Sequence, residues 1–198
     1  MSFGNTVFVS ASAMLAFAAC GSPTPSFPQG AFWDALEPAC GTVLPGEMLS
    51  NASSDRDWRR RGVSLDVTEC SSEGMRMVVQ VGNDRSRTWI LTQAADGIDF
   101  RIERAEGTGP GVSGYGGVSS EGADAMRQVF PADEVTKEMF SERGLALALE
   151  NVWSLTIDPE AGDLVYEVER ISGGRKIRFD LSGAANEAAP AEETDSAG

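Results

Sequence analysis

From residue 63 onward the chain alternates between apolar and polar positions. Val63, Leu65 and Val67 flank Ser64 and Asp66; Met75, Met77, Val79 and Val81 flank Arg76 and Gln80; Ile98, Phe100 and Ile102 flank Asp99 and Arg101. A period of two marks strands with one buried face. Residues 87–92 read as another strand, more apolar on both sides. Toward the C-terminus three or four more follow: Leu145, Leu147 and Leu149, then Trp153, Leu155 and Ile157, with a bend or bulge near Asn151. Leu164, Tyr166 and Val168, and then Ile177, Phe179 and Leu181, complete the series. The links at 82–85, 94–97, 159–162 and 172–174 are short and turn-rich, as antiparallel hairpins require.

Two stretches carry a helical period instead. Phe32, Trp33 and Leu36 form a stripe that Pro38 ends. Val135, Met139 and Phe140 form another, begun after Asp133 and closed by Gly144. Seven or eight strands with one apolar face each need a second layer over that face. The expected fold is mainly β, an antiparallel meander curling into a small barrel with two short helices, the first packed in the core or plugging one end of the sheet. A β-sandwich is the alternative. One domain spans residues 29–182, and residues 183–198, with four acids and no base, read as a disordered acidic tail.

The first twenty residues follow a different logic. Val7 to Ala19 is uncharged, small and apolar, Cys20 ends it, and Gly21-Ser22-Pro23-Thr24-Pro25-Ser26-Phe27-Pro28 follows. This is the layout of a cleavable export signal, and the apolar run is too short to span a bilayer. Phe17-Ala18-Ala19-Cys20 resembles the lipobox of bacterial lipoproteins, with Phe17 where Leu is usual and no Lys or Arg ahead of the apolar run. The resemblance covers roughly the first tenth of the chain. It implies a signal peptide over residues 1–19, lipidation of Cys20, and a lipidated tether over residues 20–28. The protein would then be exported and held by acyl chains at the periplasmic face of the cell envelope; Gly21 after the cysteine implies the outer membrane. The alternatives are a plain secretory signal cleaved near Ala19 and a buried N-terminal helix with a core cysteine. The body resembles the small uncharacterised exported proteins of Gram-negative bacteria, which brings no activity with it.

The cysteine count fits that placement. Of three cysteines, acylation of Cys20 leaves Cys40 and Cys70, enough for one disulfide in an oxidising compartment. Two separate buried thiols are the alternative. The net charge of −14 disfavours nucleic acid and anionic headgroups as partners. The chain has no histidine, which removes Ser-His-Asp and Cys-His catalysis and His metal sites, so we expect no metal and no cofactor.

Within the domain the candidates for chemistry are few. Gly109-Pro110-Gly111-Val112-Ser113-Gly114 matches a phosphate-binding glycine pattern in letters, but Tyr115-Gly116-Gly117 stands where the helix should start. The wider stretch 104–124 reads as a long mobile loop, and Tyr115 in it as part of a ligand lid. Arg59 and Arg60, beside Trp58, could grip a phosphate or a sugar acid, or form an exposed turn with local Asp–Arg pairs. Trp89 and Trp153 fill the core or line a ligand cavity. Asp34 with Glu37, and Glu167 with Glu169, are the carboxylate pairs in reach of acid–base work. The expected function is a membrane-anchored ligand-binding or protein-interaction module with a small-molecule or envelope-protein partner. A carboxylate-dependent envelope hydrolase or isomerase, and a purely structural envelope protein, are the alternatives. A cavity lined by Trp89, Trp153 and convergent polar groups would favour the first.

Overall fold

A computed structural model describes residues 29–95, 97–108, 111–119, 124–171 and 173–183. The leader, Cys20, the tether and residues 184–198 lie outside them. Ten strands form one continuous antiparallel sheet: β1 (Val43–Met48), β2 (Val63–Cys70), β3 (Gly74–Val81), β4 (Asp84–Ala94), β5 (Gly97–Arg104), β6 (Tyr115–Val118), β7 (Arg127–Pro131), β8 (Val152–Asp158), β9 (Asp163–Glu169) and β10 (Arg175–Asp180). Their order around the sheet is β6-β5-β4-β3-β2-β1-β10-β9-β8-β7. Neighbours in the sheet are therefore neighbours in the chain, except where β1 pairs with β10 through Gly46 opposite Phe179. The sheet curls into a nearly closed barrel and a sandwich is excluded.

The alternating rows predicted from sequence line the interior. Leu65, Val67, Met77, Val79, Leu91, Phe100, Leu155, Leu164, Ile177 and Phe179 are fully buried, and each such side chain contributes about 1.5–3 kcal/mol by leaving water. Gly46 on β1 leaves room for the Phe179 ring, which a Cβ there would strike. Strand directions define two ends. At the closed end, α1 (Gly30–Leu36) buries Phe32, Trp33 and Leu36. The chain then turns through Glu37–Ala39, and Cys40 is bonded to Cys70 at the end of β2, with Cα atoms 6.0 Å apart. The other end is the mouth. Its rim comprises the β1–β2 connection with α2 (Arg56–Arg61), the β3–β4 and β9–β10 turns, the β5–β6 loop and the β7–β8 connection with α3 (Glu134–Glu142).

The two free edges, β6 and β7, meet at a seam that α3 fastens. The Gly116 N–H donates to the Thr136 Oγ1 (2.8 Å), which in turn donates to the Gly116 carbonyl (2.9 Å), and the Asp133 N–H donates to that same carbonyl. Edge-strand groups that would otherwise be unpaired are thus satisfied. Gly117 packs against the Pro131 carbonyl with no space for a Cβ. Asp133 caps α3 by accepting from the Thr136 N–H (2.8 Å) and pairs with Arg101 on β5 (2.7 Å).

Several expectations are corrected. Among the described residues there are three short α-helices rather than two: residues 56–61, expected as an exposed turn, form α2, whose only apolar residue is Trp58. Ten strands among the described residues replace seven or eight, because β1, β6 and β7 lack a clean apolar alternation. Residues 104–124 are not loop throughout, since β6 lies within them. Leu145, Leu147 and Leu149 do not form a strand; Ala146–Ala148 is a 3₁₀ turn with Leu147 exposed. On α3 the buried residues are Thr136 and Phe140, while Val135 is 65% exposed, because the inner face of this helix serves the seam.

Candidate functional site at the mouth of the barrel

At the mouth, four inward-facing rows end in arginine. Arg87 lies two residues before Trp89 on β4, and Arg104 two after Ile102 at the end of β5. Arg170 lies two after Val168 just past β9, and Arg175 two before Ile177 at the start of β10. The same parity that buries the apolar residues turns these side chains inward. They surround a cavity of about 200 Å³, lined also by Trp58, Trp89, Ile102, Tyr115, Asn151, Trp153, Tyr166 and Val168.

The floor is aromatic. Trp89 stacks on Tyr166 with ring centres 4.4 Å apart and planes 24° from parallel. Tyr115, on the edge strand β6, lies 5.9 Å from Trp153 and 5.3 Å from Phe140 of α3, so the seam and the cavity share a wall. Burial, reinforced by Tyr115, pushes the Tyr166 phenol well above its usual pKa; the opposing pull of Arg175, Arg170 and Arg87 does not overcome it. Tyr166 therefore stays a neutral hydroxyl at physiological pH.

The arginines are unequally neutralised. Arg175 donates from Nε to Asp55 Oδ1 (2.8 Å), and its Nη2 forms an ion pair with the same oxygen (2.8 Å). Asp55 is fully buried and also accepts from the Ser50 hydroxyl (2.7 Å). Burial would raise the Asp55 carboxyl, but the Ser50 and Arg175 hydrogen bonds outweigh it and hold the pKa below its ordinary value. Arg87 pairs with Asp84 (3.2 Å). Both cations lie over the Trp58 ring, with the Arg175 guanidinium 4.0 Å and that of Arg87 4.9 Å from its centre. Arg104 and Arg170 use Nε on the Thr108 and Gly173 carbonyls (2.9 and 3.1 Å) and have no ion-pair partner among the described residues.

One juxtaposition is costly. Arg87 and Arg104 are directly opposite on the paired strands β4 and β5, a position in which like charges destabilise a sheet. Burial, and then the charge of Arg104, depress the pKa of Arg87 despite Asp84. The buried Oδ1 of Asn151, in the same lining, has no hydrogen-bond partner among the described residues. A negatively charged, flat molecule with hydrogen-bonding groups would relieve the repulsion, find cations to pair with, and stack on the floor.

The residues singled out from sequence separate cleanly. Trp89, Tyr115 and Trp153 come together around this cavity. Arg59 and Arg60 do not reach it: Arg59 donates to the Ser50 and Ala52 carbonyls, and Arg60 pairs with Asp57 on the exposed side of α2 (2.7 Å). Trp58 is the residue of that cluster that does. Asp34 and Glu37 are exposed near the closed end, and Glu167 pairs with Lys176 outside the barrel (3.2 Å). Among the described residues no group of His, Cys, Asp and Glu side chains could hold a metal ion. The glycine-rich stretch leads into strand β6, not a helix. Sequence reasoning missed Arg87, Arg104, Arg170 and Arg175, although each extends an apolar period-two row at one end. No protein-family model, no curated protein and no solved structure matches the chain.

Proposed function

We propose that the protein is a ligand-binding module that takes a small, planar, anionic molecule into the mouth of its barrel. The observation that carries this reading is the Arg87–Arg104 opposition inside a chain of net charge −14. Natural sequences break local rules of this kind at functional sites. The cavity lies below the ~300–1,000 Å³ of sites for drug-sized ligands, so the ligand is small. No carboxylate lines it, which favours binding over the carboxylate-dependent hydrolase or isomerase; a lined cavity disfavours a purely structural role.

The lipobox-like leader supports an exported protein anchored through acyl chains on Cys20 at the periplasmic face of the envelope, with the outer membrane as its address. The chain enters the domain beside α1, at the closed end, so a tether leaving there would turn the mouth away from the membrane. Nucleic acid is not a partner in this reading.

The test pairs small aromatic carboxylates and sulfonates with their neutral amides in thermal-shift and calorimetric titrations. An anion at about 100 times its Kd stabilises by ~2.7 kcal/mol, or roughly 5–10 °C for a domain of this size. Arg87→Gln should weaken the response. If no anion in the panel acts at millimolar concentration, or the amides act equally, the reading fails. Intact mass of the envelope-expressed protein tests the anchor: a diacylglyceryl increment on Cys20 is expected, and an unmodified Met1 species would refute it.

A further inference from the structure

The four arginines form two pairs on facing walls. Arg87 and Arg104 come from the neighbouring strands β4 and β5; Arg170 and Arg175 flank the β9–β10 turn. Around the ring, β6, β7 and β8 separate the pairs on one side, and β3, β2 and β1 on the other. Each pair holds one neutralised cation and one that is not. Asp84 answers Arg87 and Asp55 answers Arg175, and both of these guanidiniums also lie over the Trp58 ring. Among the described residues, Arg104 and Arg170 are anchored only by Nε on a backbone carbonyl. That leaves the terminal nitrogens of both guanidiniums for a ligand, in a fork suited to a carboxylate.

We propose that the mouth is matched to a ligand with two anionic groups at opposite ends of a flat body, as in an aromatic dicarboxylate, with Arg104 and Arg170 each taking one. The inference rests on the anion-binding reading above and adds the number and placement of the charges. A monoanion would leave one of the two cations unpaired in a half-buried site. A single-centre dianion such as phosphate would engage one wall only.

Calorimetry at neutral pH with benzoate, isophthalate, terephthalate and inorganic phosphate tests it. At least one dicarboxylate should bind about tenfold or more tighter than benzoate. Arg104→Gln and Arg170→Gln should each bring that dicarboxylate down to the benzoate level while changing benzoate by only about twofold, since it can use the remaining arginine. The double variant should lose both ligands. Arg60→Gln, outside the cavity, should change nothing, and circular dichroism with thermal melting confirms that each variant folds. Dicarboxylates no tighter than benzoate, or phosphate the tightest, would overturn the two-point proposal and leave the anion-binding reading standing. No binding by any of the four would overturn both.

Discussion

Replacing Asp55 by asparagine removes one negative charge from a fully buried position without changing its volume. In the native protein that carboxylate accepts hydrogen bonds from Arg175 Nε (2.8 Å), Ser50 (2.7 Å) and Ser54 (3.3 Å), and Arg175 Nη2 lies 2.8 Å from it as an ion pair. No cavity forms, so the cost is electrostatic: charge-assisted bonds become neutral ones and Arg175 loses its counter-ion. Breaking a buried pair costs about 3–5 kcal/mol. The Arg175 side chain is 17% exposed and also lies over Trp58, so it can recover part of that, and we expect a loss of ~2–4 kcal/mol. For a domain of this size the melting temperature should fall by roughly 5–15 °C. The pH dependence sharpens the test. The folded-state pKa of Asp55 is lowered, so its contribution is complete above the unfolded value near ~3.9 and fades as pH falls through the folded value. Urea unfolding at pH 7 and at acidic pH should therefore show a gap between native protein and variant that closes on acidification. A gap under about 1 kcal/mol at pH 7, or one that persists unchanged in acid, would refute the account.

Two further outcomes follow from other parts of the barrel. Cys40→Ser with Cys70→Ser should destabilise by ~3–4 kcal/mol in the chain-entropy model, given the 30-residue separation, and native protein in reductant should unfold at the same urea concentration as the variant. Thr136→Val strips the Gly116 N–H of its acceptor at the seam and should cost about 2–3 kcal/mol; hydrogen exchange should speed at Gly116 while β2 and β3 stay protected.

The strands that sequence reveals are those whose buried face is uninterrupted, such as Val63–Cys70, Gly74–Val81 and Gly97–Arg104. The missed strands each answer to a tertiary demand. Gly46 must admit the Phe179 ring, Gly116 and Gly117 must lie against the Phe100 and Pro131 carbonyls, and Gln128 puts a buried amide where an apolar residue would announce β7. None of these demands has a local signature. The row of leucines at 145–149 misleads for the opposite reason: its spacing is strand-like, but the chain there must bridge α3 and β8. At the site the aromatic floor was legible because Trp89 and Trp153 sit inside clean rows. The arginines were not, since a lone arginine at the end of a strand reads as solvated until its parity is compared with three others on the same side of the ring.

The pairing of β1 with β10 makes the chain a circle cut in an unusual place. Arg178 on β10 meets Glu47 on β1 across a separation of 131 residues, whereas every other strand pairs with one that is next to it in the chain. Until the last strand is made, β1 has one partner and an open edge, and loop-closure entropy for the whole barrel is charged to this single ladder. The seam between β6 and β7, which has no ladder to lose, is where the circle could be reopened. A permuted chain running from β7 through β10, then α1 and β1, and on to β6 would make β10 and β1 successive strands. The long-range contacts would then be those of the seam, Thr136 with Gly116 and Asp133 with Arg101.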